Sequence, residues 1–310
     1  MPVPAGVRSY YQKQVGLFHV HGRAASRFLA AEAIHELRVV LKRLRAFFQL
    51  VNAIHSRSFK EEAFAPAQKL LRSAGRVRNI QLLEERVLRA AKESGLSLSE
   101  FYNDLKINEK RTGQKFRRAA VDFKKDFFES AWKKIEASFE ALPPAAFRDA
   151  AWSRLAALVS EIRESKPRRS AGDRLHLLRI KSKEARYELE VIRAGSRQGR
   201  NVSELNLLLR NIHQALGRWH DDEVVLETLR KFRRERQAGP YFSYKSYPEF
   251  ATLLERSKKK NLEEFEASWV RFLKFMATRG LVLFRPGRRR APENVVASGR
   301  QDARERSFGC

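Results

Sequence analysis

The chain has one cysteine in 310 residues, and it is the last residue, Cys310. A single terminal thiol excludes an internal disulfide framework and a zinc site built on cysteines. No stretch approaches the roughly 18 apolar residues of a transmembrane helix, so no membrane partner is expected. The opening residues MPVPAGVRSYYQKQVG lack the apolar run of a signal peptide, and a cytoplasmic location is the resulting expectation. Proline and glycine are few, 10 and 15, and they fall mostly between long stretches of helical periodicity. No alternating strand pattern stands out. P-loop, G-x-S-x-G and H-E-x-x-H motifs are absent, so the common nucleotide, hydrolase and metalloprotease readings have no anchor.

Negative charge is also scarce. Asp and Glu number 36 against 63 Lys and Arg, which leaves a formal charge of +27. Hydrophobic residues make up 43%, enough for a folded body with an ample core. From Arg279 to Cys310 there are eight Arg and three acids, a net +5, so +22 lies on the rest of the chain. A charge of this size opposes compaction, which points to an anionic partner.

The periodicity predicts helices near 24–54, 60–93, 97–141, 144–165, 172–194, 201–238 and 246–279, with a short one near 7–19. Gly95, Pro143-Pro144, Pro167, Gly172, the 195–199 segment and Gly239-Pro240 supply the breaks. Ser97–Glu100 and Ser170–Asp173 offer helix N-caps.

Two of these helices repeat one pattern. His35–Phe47 reads HELRVVLKRLRAF and His176–Glu188 reads HLLRIKSKEARYE. Each has His, then Arg at +3, Lys at +7 and Arg at +10, and the copies are 141 residues apart. On a helix these four positions fall within about 80° of arc. His35, Arg38, Lys42 and Arg45 therefore form one cationic stripe, and His176, Arg179, Lys183 and Arg186 a second. Each stripe lies beside an apolar face, and neither is expected to be neutralised by acids one turn away. A second pair of motifs, GRVRN at Gly75–Asn79 and GRWHD at Gly217–Asp221, recurs at an offset of 142. Two motifs in the same order at the same spacing mean two related halves, about 20–166 and 172–280. These follow an N-terminal segment at 1–19 and precede a flexible basic tail at 285–310. The expected fold is all-α, with two up-and-down bundles about a pseudo-twofold axis.

The chemistry suits phosphate. Arg binds phosphate oxygens bidentately, Lys adds a point charge, and a His among cations stays neutral and donates one hydrogen bond. The paired segments Glu32–His35 and Asp173–His176 also have di-iron spacing, but the neighbouring Arg and Lys would repel a metal. Non-specific nucleic-acid binding is the main alternative, since charge and a basic tail are its footprint. Trp132, Trp152, Trp219 and Trp269 sit at core spacing, however, and no nucleic-acid-binding motif is visible.

HELRVVLKRLRAF, HLLRIKSKEARYE, GRVRNIQLL and GRWHDDEVVL together resemble the signature helices of the CHAD domain, the conserved histidine α-helical domain. The resemblance spans about residues 20–280. It implies a basic central channel flanked by the two bundles, non-catalytic binding of inorganic polyphosphate, and association with polyphosphate granules. Other polyanions, nucleic acid at low salt among them, would be secondary partners. By position it carries over the eight stripe residues, and adds Arg43, Arg76, Arg78, Arg218 and His220. No cofactor is implied. Asn79 departs from the Asp of the family pattern, and Ser182 and Glu184 interrupt the second stripe. No E-x-E-x-K triphosphate-tunnel motif occurs, so a stand-alone binding module is expected.

Overall fold

The computed structural model describes residues 4–54, 64–139, 144–165, 172–195, 199–236 and 246–280. The expected basic tail at 285–310 lies outside them, as do Pro143, Pro167, Ser170 and Gly239-Pro240. The described residues are helical almost throughout: α1 (Ala5–Phe28), α2 (Ala31–Ile54), α3 (Ala65–Ser94), α4 (Ser99–Val121), α5 (Phe127–Phe139), α6 (Pro144–Glu164), α7 (Gly172–Ala194), α8 (Arg200–Arg236) and α9 (Ser246–Phe275). A π turn at Met276–Gly280 extends α9. The all-α expectation holds among the described residues.

α2 shows why these segments are helices. Ala33, Ile34, Leu37, Val40, Leu41, Leu44, Phe47, Phe48 and Val51 are buried. They recur at spacings of three and four, one apolar face with the cationic positions beside it. Each fully buried Leu or Phe contributes about 1.5–3 kcal/mol. α3 has Pro66 in its first turn and stops at Gly95, whose φ of 65° closes the helix through a bond to the Ala91 carbonyl.

Two boundaries differ from the sequence expectation. The stretch 24–54 is not one helix: α1 runs from Ala5 to Phe28 and ends at Leu29, a non-glycine residue at φ 53°. The Leu29 side chain fills the space where a Cβ on Gly113 of α4 would meet it at 2.5 Å. Its carbonyl accepts a hydrogen bond from Gln81 Nε2 at 2.8 Å. Tertiary contacts hold this break. The stretch 97–141 is likewise two helices, α4 and α5, separated at Asp122–Asp126. There Phe123 is buried against Phe18, Phe127 and Phe128. The expected cap at Ser97–Glu100 is also not made by a side chain: the N-cap residue of α4 is Leu98.

Packing follows a repeated order. α1 meets α2, α2 meets α3 and α3 meets α4; α6 meets α7, α7 meets α8 and α8 meets α9. Across the halves, α2 meets α7, α1 meets α7 and α2 meets α6. The α1–α7 approach is close enough that a Cβ on Gly6 would overlap the Ala194 carbonyl oxygen. The main hydrophobic cluster draws on both halves. A second cluster joins the far ends of α3 and α4 to those of α8 and α9, with Phe101 and Phe232 rings 5.0 Å apart.

Candidate polyanion site

The two motif helices pack on each other, and their stripes meet. Burial pushes the Lys42 ammonium well below its ordinary value, and Arg38 of its own helix and Lys183 and Arg179 of α7 push it further. Lys183 is pulled to about 8 by burial, then by Arg179, Arg38 and Arg45. Arg38 is lowered by burial and by Arg78 and Arg179. Equivalent cations of the two copies therefore act on one another across the α2–α7 contact.

None of Arg38, Lys42, Arg45, Arg179 or Lys183 forms an ion pair among the described residues, and Arg38 Nε and Arg179 Nε are buried without a hydrogen-bond partner. Holding cations this way costs stability unless an anion arrives. Two carboxylates act on the group, Glu184 on Lys183 and Asp221 on Arg38, Lys42 and Arg179. Asp221 of α8 draws on Arg179 and Arg38, and burial raises its own pKa.

The second-helix motifs form the adjoining walls. Arg38 rests on Gly75 of α3: a Cβ there would lie 3.9 Å from Arg38 Nε and Nη2. Arg78 pairs with Glu85 at 3.0 Å and still acts on Arg38 and His35. His35 is lowered by burial and Arg78, with Glu36 and Glu32 opposing. His176 is lowered by burial and then by Arg179. Its ring lies 4.9 Å from that of His220, which burial and Arg179 pull to about 4.

Four further sequence candidates have different surroundings. Arg43 and Arg186 both pair with Glu190, at 2.8 and 3.0 Å. Glu190 is one turn beyond Arg186, which corrects the expectation that no acid neutralises the stripes. Arg218 turns to α9, bonding Asn261 Oδ1 at 2.9 Å and pairing with Glu264. Exposed Arg76 lines a cavity of about 370 Å³ between α3, α4 and α8.

His213 of α8 was not among the sequence candidates. Burial and then Arg186, Lys183, Arg179 and Lys42 pull it to about 3. The available signal was its spacing of seven residues from His220, which puts both on one side of α8. No group of three or more His, Cys, Asp or Glu suited to a metal exists among the described residues. No helix among them is long and apolar enough to cross a membrane.

The model of one family, the CHAD domain, matches residues 10–230. The chain belongs to the CHAD-domain family. Its fold agrees with that assignment. The crystal structure of the CHAD domain from the plant Ricinus communis matches with a TM-score of 0.70 and 15% identity, over 87% of this chain and 92% of that one. PptA from Streptomyces chartreusis matches with a TM-score of 0.53 and 18% identity, over 89% of this chain and all of that one. At these identities the likeness is one of fold. No curated protein matches the chain.

Proposed function

We propose that this CHAD domain binds long-chain inorganic polyphosphate without cutting it, in a basic channel between two helical bundles related by a pseudo-twofold axis. One observation carries the reading. Arg38 and Lys42 converge with their repeat equivalents Arg179 and Lys183, partly buried and with no carboxylate in ion-pair reach among the described residues. A polyanion with one charge per unit along a flexible chain satisfies such a row and releases its counterions on binding. Membership of the family supports the same ligand. The packing order supports the pseudo-twofold axis, because α1 to α4 and α6 to α9 exchange contacts in matching pairs. Asp221 is the carboxylate that acts on both Arg38 and Arg179. It offers orientation to Arg38 and Arg179 rather than a metal platform, which favours binding over phosphoanhydride cleavage. Recruitment to polyphosphate granules in the cytoplasm is the biological role we propose.

The test is Arg38→Glu combined with Arg179→Glu. Calorimetry with long-chain polyphosphate should show binding abolished, with helicity by circular dichroism unchanged. A double variant that binds as tightly as the parent would remove the stripes as the site.

A further inference from the structure

The repeated motifs leave one wall of the site unexplained. Asn206, His213 and His220 of α8 are spaced by seven residues, so neighbours in the row differ by only about 20° around the helix. All three are partly buried, and Asn206 Oδ1 is buried without a partner. At the repeat offset of 142, α3 and its N-cap carry Phe64, Leu71 and Arg78 instead, and Phe64 and Leu71 are in the hydrophobic core. The polar row therefore belongs to the second half alone.

His213 lies about two turns before His220 on one side of α8, the helix that packs on α7 and brings the His220 ring to 4.9 Å from that of His176, and Lys42 of α2 with Arg179, Lys183 and Arg186 of α7 act on it. The carboxylates around them are engaged elsewhere or directed at the cations. Glu190 pairs with Arg186, Glu184 acts on Lys183, and Asp221 acts on Arg179. α9 meets the other side of α8, where Ser257 and Asn261 bind Asp222, about 180° round from His213.

We infer that His213 is a phosphate contact of this site, and that its imidazole takes up a proton from solvent as the phosphate chain enters. The inference rests on the polyphosphate reading. In the empty site burial and four cations hold the ring neutral, so it has one N–H donor and one free lone pair. A phosphate chain cancels the cations' field. The lone pair then takes H⁺ from solvent, both ring nitrogens donate, and one positive charge is added at the anion. The sign follows by linkage. The bound value exceeds the empty one, so protonation of this residue strengthens binding as pH falls through the bound value and adds nothing well above it. If the ring recovers its ordinary value of about 6.5, the gain is about fourfold at pH 6 and negligible at pH 8.

The experiment uses the full chain with long-chain polyphosphate. Imidazole ¹H–¹⁵N spectra at pH 6, with His213 identified through H213Q, are recorded empty and saturated. Calorimetry in two buffers of different ionisation heat counts the protons taken up. The His213 nitrogens should pass from the neutral to the imidazolium pattern on saturation. H213Q should take up fewer protons, bind about fourfold more weakly at pH 6, and match the parent at pH 8. If H213Q fails to fold, H213N provides the identification and the comparison. Tight binding with His213 unmoved, or an affinity loss equal at both pH values, would overturn the inference and leave the polyphosphate reading intact. No binding by the parent would remove both.

Discussion

Arg43 of α2 and Glu190 of α7 form an ion pair at 2.8 Å. The other carboxylate oxygen of Glu190 holds Arg186 at 3.0 Å. One acid thus joins the two repeated helices and withdraws two arginines from the unpaired cations of the stripes. Burial works against the Arg43 charge, and Glu190 more than restores it. Glu190→Gln should lower stability by about 1–3 kcal/mol, the scale of hydrogen bonds to charged groups, measured by urea unfolding. Polyphosphate affinity should not fall, and its salt dependence should steepen as both arginines become free for phosphate. Unchanged stability would show that the pair contributes nothing.

Lys183 makes stability and binding respond to pH in opposite directions. Burial, with Arg179 and Arg38, places its folded value at about 8 against an ordinary 10.5. Between those values the unfolded chain binds more protons, so the stability of the empty protein rises with pH. Phosphate restores the ammonium, so binding takes up a proton above pH 8 and weakens as pH climbs. Thermal unfolding and calorimetry at pH 8 and 9.5 should show the two trends, and Lys183→Met should reduce both slopes, leaving the part that Lys42 carries. Parallel trends would contradict the placement of Lys183 in the site.

Phe101 is fully buried, and its ring meets Phe232 at 5.0 Å in the cluster that joins the ends of α3 and α4 to those of α8 and α9. Phe101→Ala should cost about 3–5 kcal/mol by leaving a cavity, read from the unfolding midpoint. A cost below 1 kcal/mol would mean that the two helical hairpins do not depend on this contact.

Much of this architecture was legible because it repeats. Two copies of His, Arg, Lys and Arg at one spacing identified α2 and α7, and the structure sets those helices against each other. The ends of α7 matched closely, since Gly172 marks its start and the apolar period stops at Ala194. The breaks at Leu29 and at Asp122–Asp126 were not legible. Neither contains Pro or Gly, and both are held by partners distant in sequence, Gln81 and Gly113 in one case and Phe18 in the other. His213 was missed for a related reason. It lies outside both repeated motifs, and only the packing of α7 on α8 brings it to Lys183. The pairing of Arg186 was readable from Glu190 one turn on. That Glu190 also takes Arg43 depends on how α2 crosses α7.

The central claim is that the converging stripes are matched to polyphosphate rather than to anions in general. Calorimetric titration with long-chain polyphosphate near 150 mM salt, beside duplex DNA of equal phosphate content, tests it most directly, because at that ionic strength diffuse surface attraction is screened beyond about 8 Å. The account predicts tight, saturable binding of polyphosphate and little of DNA. Equal or stronger binding of DNA would contradict it and make the positive charge a general nucleic-acid surface.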